Sequence, residues 1–102
     1  MAREVKVHLR LNELCQQVEL SAETIIEYVD NGIVEPTGDQ PEDWEFDVYV
    51  INVVKRAYKL QRDFDIGLSG IPLILDLLDQ VKKLRTDNQM LEQRLKRFMV
   101  ED

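Results

Sequence analysis

The chain has 102 residues, which is the size of one small domain with an extension. Hydrophobic residues make up 44% and charged residues 32%, with only four Gly and three Pro, so the composition excludes a disordered chain and favours a helix-rich globular one. The formal net charge of −7 disfavours a general affinity for nucleic acid and favours a basic partner.

Residue usage limits the chemistry that the chain can perform. Cys15 and His8 are its single cysteine and histidine, so a zinc site of these ligand types cannot form within one subunit. Cys15 has a functional interpretation as a nucleophile, but the simpler one makes it a small core residue and His8 a strand residue. There is no Gly-rich phosphate loop and no G-x-S-x-G motif. We therefore expect no catalytic residues, no metal and no cofactor.

Hydropathy and cysteine usage bear on localisation. No apolar run approaches the roughly 20 residues that cross a bilayer, and the N-terminal MAREVKVHLR lacks an apolar signal-peptide block. A single cysteine fits a reducing compartment, because it cannot form an internal disulfide. These features predict a cytoplasmic protein without membrane contact.

The first predicted elements are a short strand and a helix. Val5 and Val7 alternate with polar neighbours, which is typical of an edge strand or an extended arm. Asn12 is suited to cap a first helix near residues 13–18. The apolar stripe of this helix follows the i, i+3, i+4, i+7 pattern and consists of Leu11, Leu14, Cys15 and Val18.

A second helix is predicted after the connector at residues 19–20. Ser21 is suited to cap its start, and Asn31-Gly32 supplies a left-handed stop. Its predicted apolar face consists of Ala22, Ile25, Ile26 and Val29. Two short helices joined by a tight turn predict a helix-turn-helix.

The charges of this helix-turn-helix differ from those of a DNA reader. No Lys or Arg occurs between Arg10 and Lys55, and Glu23, Glu27 and Asp30 share one face of the second helix, where a reader would carry Arg, Lys, Asn or Gln. The acidic face is either a merely solvated surface or a docking site for a basic partner, and DNA reading is the weakest alternative. The predicted partner-binding residues are Glu13, Glu19, Glu23, Glu27 and Asp30.

A small β wing is predicted after the second helix. The run from Ile33 to Pro36 is typical of a short strand closed by proline, residues 37–41 form a polar turn, and the run from Trp44 to Phe46 alternates as a returning strand would. Trp44 and Phe46 are most simply residues that pack on the helices, and the alternative is an anchor for a partner.

A third helix is predicted from a cap at Asp47 to about Asp63. Lys55, Lys59 and Arg62 recur on it at i, i+4 and i+7 as a basic stripe. The stripe is a solvated face, a partner for acidic residues of the same chain, or a set of phosphate contacts. The wide apolar face of the helix consists of Val50, Ile51, Val53, Val54, Ala57, Tyr58, Leu60 and Phe64.

The last predicted element is a helix of about 30 residues, roughly 45 Å long, that ends near Met99. Ser69 is suited to cap it after a break at residues 65–70, and Pro72 fits its first turn. Its apolar residues recur three and four apart as a coiled-coil seam, which favours a homodimer over a helix folded back on its own domain and leaves parallel and antiparallel pairing open. Asn88 is the single polar a position of the seam. The predicted dimer interface consists of Ile74, Leu77, Val81, Leu84, Asn88, Leu91, Leu95 and Phe98.

The order of these elements resembles that of MerR-like proteins, and the segment IIEYVDNGIVEP looks like their second helix running into its wing. A closer resemblance, to the CbpM chaperone-modulator family, covers nearly the whole chain. It is carried by NELCQQV, ETIIEYVDNGIVEP, the strand WEFD, VVKRAYKLQRDFDI and GIPLILDLLDQVKKLRTDNQMLEQRLKRFM. The predicted fold is mainly α. It comprises a MerR-like winged helix-turn-helix head over residues 1–66, and a linker with a long coiled-coil-like dimerisation helix over residues 67–102.

The resemblance to the CbpM family implies a bacterial cytoplasmic adaptor that binds the J-domain of CbpA, a DnaJ-like co-chaperone. Such an adaptor inhibits the co-chaperone activity of CbpA and its DNA binding. The charge of the chain agrees with this function, because an acidic surface complements a basic J-domain helix. We expect no direct binding of nucleic acid. The alternative function is a MerR-type DNA-binding transcriptional regulator that uses the basic stripe.

Overall fold

A computed structural model describes residues 8–100, which form four α-helices, two short strands and two 3-10 turns. The elements follow in the order β1 (His8–Arg10), α1 (Leu11–Val18), α2 (Ala22–Asp30), a 3-10 turn (Pro41–Asp43), β2 (Glu45–Asp47), α3 (Val50–Phe64), a second 3-10 turn (Leu68–Gly70) and α4 (Ile71–Val100). The predicted mainly α fold, with a small β component and a long C-terminal helix, is confirmed.

The chain divides into two compact units. The head unit is Met1–Pro72 and the tail unit is Leu73–Asp102. The predicted boundary between residues 66 and 67 stays a prediction. The strand predicted around Val5 and Val7 lies outside the described residues, among which β1 begins at His8.

The first helix begins earlier than predicted. α1 starts at Leu11, so its N-cap position falls on Arg10, and the prediction of Asn12 as the cap is wrong. The reason is that the Glu13 carboxylate accepts a hydrogen bond from the Arg10 backbone N–H at 2.9 Å, which satisfies a donor at the start of the helix. The helix ends at Val18, and the next residue, Glu19, has a φ of 58° that turns the chain towards α2.

The second helix has the predicted ends but a different buried face. The Ser21 hydroxyl accepts a hydrogen bond from the Thr24 backbone N–H at 3.2 Å, and Gly32 has a φ of 74° just after the helix. Ala22 is exposed rather than buried, and Tyr28, which the predicted face omitted, is fully buried. The buried side of α2 is therefore rotated towards its tyrosine.

The β wing is smaller than predicted, and the prediction of a first wing strand from Ile33 to Pro36 is wrong. Its returning strand, β2, lies antiparallel to β1, and the hairpin is reduced to one bridge between Thr37 and Glu45. The segment before Thr37 forms no strand, because Pro36 has no N–H to donate and because Ile33 and Val34 are both buried instead of alternating between two faces. β1 pairs with the other edge of β2, because Glu45 lies opposite Arg10 on one side and opposite Thr37 on the other.

The core of the head unit forms where the small sheet meets the helices. Leu9 of β1 lies opposite Phe46 of β2, and both are buried. The rings of Trp44 and Phe46 are also buried and contact edge to face, with centroids 6.0 Å apart, so they pack inside the head as predicted. The described side chains without any solvent exposure are Leu14, Ile25, Tyr28, Phe46, Val54, Ala57 and Ile71.

The third helix starts after a turn that Asp47 stabilises. The Asp47 carboxylate accepts a hydrogen bond from the Tyr49 backbone N–H at 3.0 Å, and the helix begins at Val50, so Asp47 precedes the N-cap position and is not the cap. The helix ends at Phe64. Its apolar face is narrower than predicted, because Tyr58 is 43% and Phe64 68% exposed where the head core does not extend to cover them.

The fourth helix has the predicted length, with 30 residues from Ile71 to Val100. Pro72 lies in its first turn, as predicted. Ser69 is not its cap, because the 3-10 turn Leu68–Gly70 contains it. None of the helices between residues 8 and 100 is both long and apolar enough to span a membrane.

Candidate protein-binding surface

The outer face of α2 carries a row of carboxylates. Glu23, Glu27 and Asp30 are exposed and recur at i, i+4 and i+7, so they lie along one side of the helix. Ile25 and Tyr28 on the other side are fully buried, which fixes the rotation of α2 against the head core. These three residues form the acidic row, about 10 Å long, which faces solvent.

The other two predicted contact residues have separate local roles. Glu13 is exposed at the start of α1, where its carboxylate holds the Arg10 backbone N–H. Glu19 is exposed in the turn between α1 and α2 and has a left-handed backbone conformation. Both carboxylates are accessible, but neither belongs to the helical face of the acidic row.

Further carboxylates continue the negative charge of the head unit beyond α2. The Arg10 guanidinium donates a hydrogen bond to the backbone carbonyl of Glu42 at 3.1 Å, so this cation connects the end of β1 with the first 3-10 turn. A surface of this sign attracts cations and repels phosphate. The exposed carboxylates between α2 and α3 are Glu35, Asp39, Glu42, Asp43, Glu45 and Asp47.

The basic stripe of α3, formed by Lys55, Lys59 and Arg62, is exposed as predicted. Arg62 Nε lies 3.1 Å from the carboxylate of its neighbour Asp63. An exposed ion pair of this kind contributes little to the stability of the fold. Lys55 and Lys59 form no ion pair with the acidic residues of the interval 8–100, so these two lysines do not pair with the described acidic residues of the head unit.

A hydrogen bond joins the two charged helices. The Tyr28 hydroxyl donates to Gln61 Oε1 at 2.7 Å. Burial raises the pKa of Tyr28, and Tyr58 and Glu27 raise it further, which places both within electrostatic range of the phenol. Sequence reasoning missed this contact. The available signal was the i, i+3 spacing of Ile25 and Tyr28, which extends the buried face of α2 to the tyrosine.

Two chemical features of the described residues bear on metal binding and nucleophilic chemistry. Among residues 8–100, no three His, Cys, Asp or Glu side chains are placed to hold a metal ion. Burial raises the pKa of the Cys15 thiol, which disfavours the reactive thiolate. A shallow cleft of about 290 Å³ lies at the starts of α1 and α2 and is lined by Arg10, Leu11, Asn12, Ala22, Pro41 and Glu42.

The tail unit exposes the predicted seam. Asn88 is exposed at its centre and Ile74 is half-buried at its start. An apolar row of this length on one helix, broken only by Asn88, is a large patch for the surface of a monomer. The exposed large apolar residues of the seam are Leu77, Val81, Leu84, Leu91, Leu95 and Phe98.

The helix-turn-helix, the short sheet and the long final helix define a MerR-like protein. Comparison with known proteins agrees, because residues 9–93 match the family described as MerR HTH family regulatory protein. A helix-turn-helix fold alone does not define the ligand, and the acidic row departs from the surface that a DNA reader presents.

More specific similarity covers nearly the whole chain. The chain is 46% identical over 99 residues to the chaperone modulatory protein CbpM of Pseudomonas putida strain F1. The alignment covers 97% of this chain and 98% of the relative. The CbpM proteins of Pseudomonas entomophila and Salmonella paratyphi B are 44% and 35% identical over 98 and 95 residues, covering 96% and 93% of this chain and 97% and 94% of each relative. The chain belongs to the CbpM chaperone-modulator family. These relatives are named as modulators, not as enzymes.

Proposed function

We propose that this protein is a cytoplasmic chaperone modulator that binds the J-domain of a CbpA-type, DnaJ-like co-chaperone and inhibits its co-chaperone and DNA-binding activities. The observation that carries the proposal is the acidic row on α2, the helix that reads DNA in a helix-turn-helix protein. The name of the relatives, chaperone modulatory protein, supplies the class of target.

Charge complementarity explains how binding inhibits the co-chaperone. J-domains present a basic helix to their chaperone partner, and the acidic row matches such a helix in sign. A helix covered in this way is no longer available to the chaperone, and its cations no longer reach DNA phosphates. The interaction weakens as salt rises, because exposed charges are screened beyond a Debye length of about 8 to 10 Å.

The tail unit holds two copies of the protein together in this proposal. A second copy offers a seam of the same length and spacing, and it also offers Asn88, whose amide would be stranded against an unrelated apolar partner. The charges of residues 73–102 balance, so they do not oppose self-association. The acidic residues are Asp76, Asp79, Asp87, Glu92, Glu101 and Asp102, and the basic residues are Lys82, Lys83, Arg85, Arg94, Lys96 and Arg97.

The proposal is tested by removing the charges of the acidic row while keeping the shapes of its side chains. The triple variant Glu23→Gln, Glu27→Gln, Asp30→Asn removes three exposed carboxylates without altering the buried side of α2. We expect its affinity for the purified J-domain of the cognate co-chaperone to fall about thirtyfold at low salt, measured by isothermal titration calorimetry.

A second triple variant controls for net charge. Glu35→Gln, Asp39→Asn, Glu42→Gln also removes three exposed carboxylates of the head unit, but outside α2, so its affinity should stay within about threefold of the wild type. Unchanged affinity in the α2 variant, or equal losses in both variants, would show that the acidic row is not the contact. Tight binding of duplex DNA by the wild type at low salt would favour the transcriptional alternative.

A further inference from the structure

The basic stripe of α3 stands in an otherwise acidic part of the chain. Every Lys and Arg of the interval 11–81 lies on α3, namely Lys55, Arg56, Lys59 and Arg62. The head unit carries many exposed carboxylates, yet within the described residues Lys55 and Lys59 form no ion pair, and Arg62 pairs with its sequence neighbour Asp63. Among residues 8–100, no carboxylate outside α3 neutralises the three cations of the stripe.

Glu27 of the acidic row and Tyr58, which neighbours the basic stripe on α3, both lie near the contact between α2 and α3. Tyr28 of α2 donates its hydroxyl hydrogen to Gln61 of α3 at 2.7 Å, and Glu27 directly precedes that tyrosine. On α3, Tyr58 is one turn before both Gln61 and Arg62. Around the helix axis, its position falls between that of Gln61 and those of the stripe residues. With 43% of its surface exposed, Tyr58 offers aromatic area where a partner that spans both helices would pass.

We propose that the docking surface for the J-domain carries both signs of charge. The acidic row binds basic residues of the partner, the basic stripe binds an acidic group that the same partner carries beside them, and Tyr58 packs at the boundary. This inference rests on the proposed function and adds selectivity to it. An acidic surface alone accepts any basic helix, whereas two opposite charges at a fixed separation reject a partner that lacks the acid.

The sign of one mutational effect tests the inference. The variant Lys55→Gln, Lys59→Gln, Arg62→Gln removes the stripe from the full-length protein. If the docking surface were acidic only, this change would strengthen binding of a basic J-domain, because it removes repulsion. On a surface of two signs it weakens binding, and we expect about a tenfold loss of affinity for the purified cognate J-domain in calorimetry at low salt.

Three further variants make the test specific. Lys55→Arg, Lys59→Arg, Arg62→Lys keeps the charges and should bind within about twofold of the wild type. Tyr58→Ala should lose about fivefold, because it removes aromatic contact area. The control Lys82→Gln, Lys83→Gln, Lys96→Gln removes three exposed cations of α4 outside the seam and should not weaken binding.

Comparing the acidic-row variant with the stripe variant distinguishes a failure of the proposed function from a failure of the inference alone. Normal binding by the acidic-row variant overturns both. Loss of binding in that variant, with unchanged or increased affinity in the stripe variant, overturns the inference alone, and so does an equal loss in the α4 control. If the wild type binds a duplex oligonucleotide and the stripe variant loses only that activity, the stripe contacts phosphate and the inference is also overturned.

Discussion

The Tyr28 hydroxyl is a polar group inside the core of the head unit, and its hydrogen bond to Gln61 keeps it satisfied. Tyr28→Phe removes this bond and leaves the Gln61 carbonyl oxygen without its donor, so the free energy of unfolding should fall by about 1 kcal/mol in urea denaturation. Tyr49→Phe is the matched control, because Tyr49 is 75% exposed and its hydroxyl makes no hydrogen bond within residues 8–100. Equal stability of the two variants would contradict the assignment.

Gly38 is required by the turn that follows α2. Its φ is 103°, and a Cβ there would lie 2.6 Å from the backbone oxygen of Asp43. Gly38→Ala should therefore lower the free energy of unfolding by about 1 to 3 kcal/mol, as measured in urea. Gly67→Ala is the control, since Gly67 has a φ of −64° and a Cβ added there would meet no atom within 4 Å, so this variant should be neutral or slightly stabilised.

Single caps can be predicted where one side chain acts on the adjacent backbone without competition. Ser21 is identified by its residue type and by the apolar pattern that follows it, and its hydroxyl accepts the Thr24 N–H. Asn12 is equally suitable by type. Asn12 is not at the N-cap position because the neighbouring Glu13 accepts a hydrogen bond from the Arg10 N–H and the helix begins earlier, at Leu11. Such competition depends on atomic geometry that a residue pattern does not contain.

At the scale of elements, the helices could be predicted and the strand pairing could not. The apolar residues of α3 and α4 repeat with helical spacing along a continuous segment, so their lengths follow from local pattern. β2 has two possible partners, and the local pattern favours the segment nearest in sequence. β2 pairs along its whole length with β1, more than 30 residues away, and Pro36 limits pairing of the nearer segment with the opposite edge of β2 to the bridge at Thr37.

In the candidate site too, one part could be predicted from local spacing and another part could not. Spacing alone places Glu23, Glu27 and Asp30 on one face of α2, and their exposure confirms that placement. The relation of this face to α3 depends on the bond between Tyr28 and Gln61, 33 residues apart, and no local pattern contains it. Residue type alone also predicts more buried residues on α3 than the structure has. An apolar side chain is buried only where another segment of the chain packs against it.

At the scale of the whole molecule, charge and apolar surface are divided along the chain. The entire formal excess of −7 lies in residues 1–69, whereas the seam belongs to a segment whose charges cancel. Two neutral tails can associate without net repulsion, and two acidic heads repel one another. In the proposed dimer, this division would let the tails associate while each acidic row remained free for a basic partner.

The dimer proposal leads to a prediction about two exposed apolar residues of α4. Leu84 lies on the seam and is 66% exposed, and Met90 lies off the seam and is 50% exposed. Leu84→Asp places a charge in the interface from both copies, so sedimentation equilibrium should show the dimer dissociation constant raised at least about a hundredfold. Met90→Asp adds the same charge to the same helix and should leave the dimer intact. A monomeric wild type at tens of micromolar, or equal behaviour of the two variants, would show that the seam does not bind a second copy.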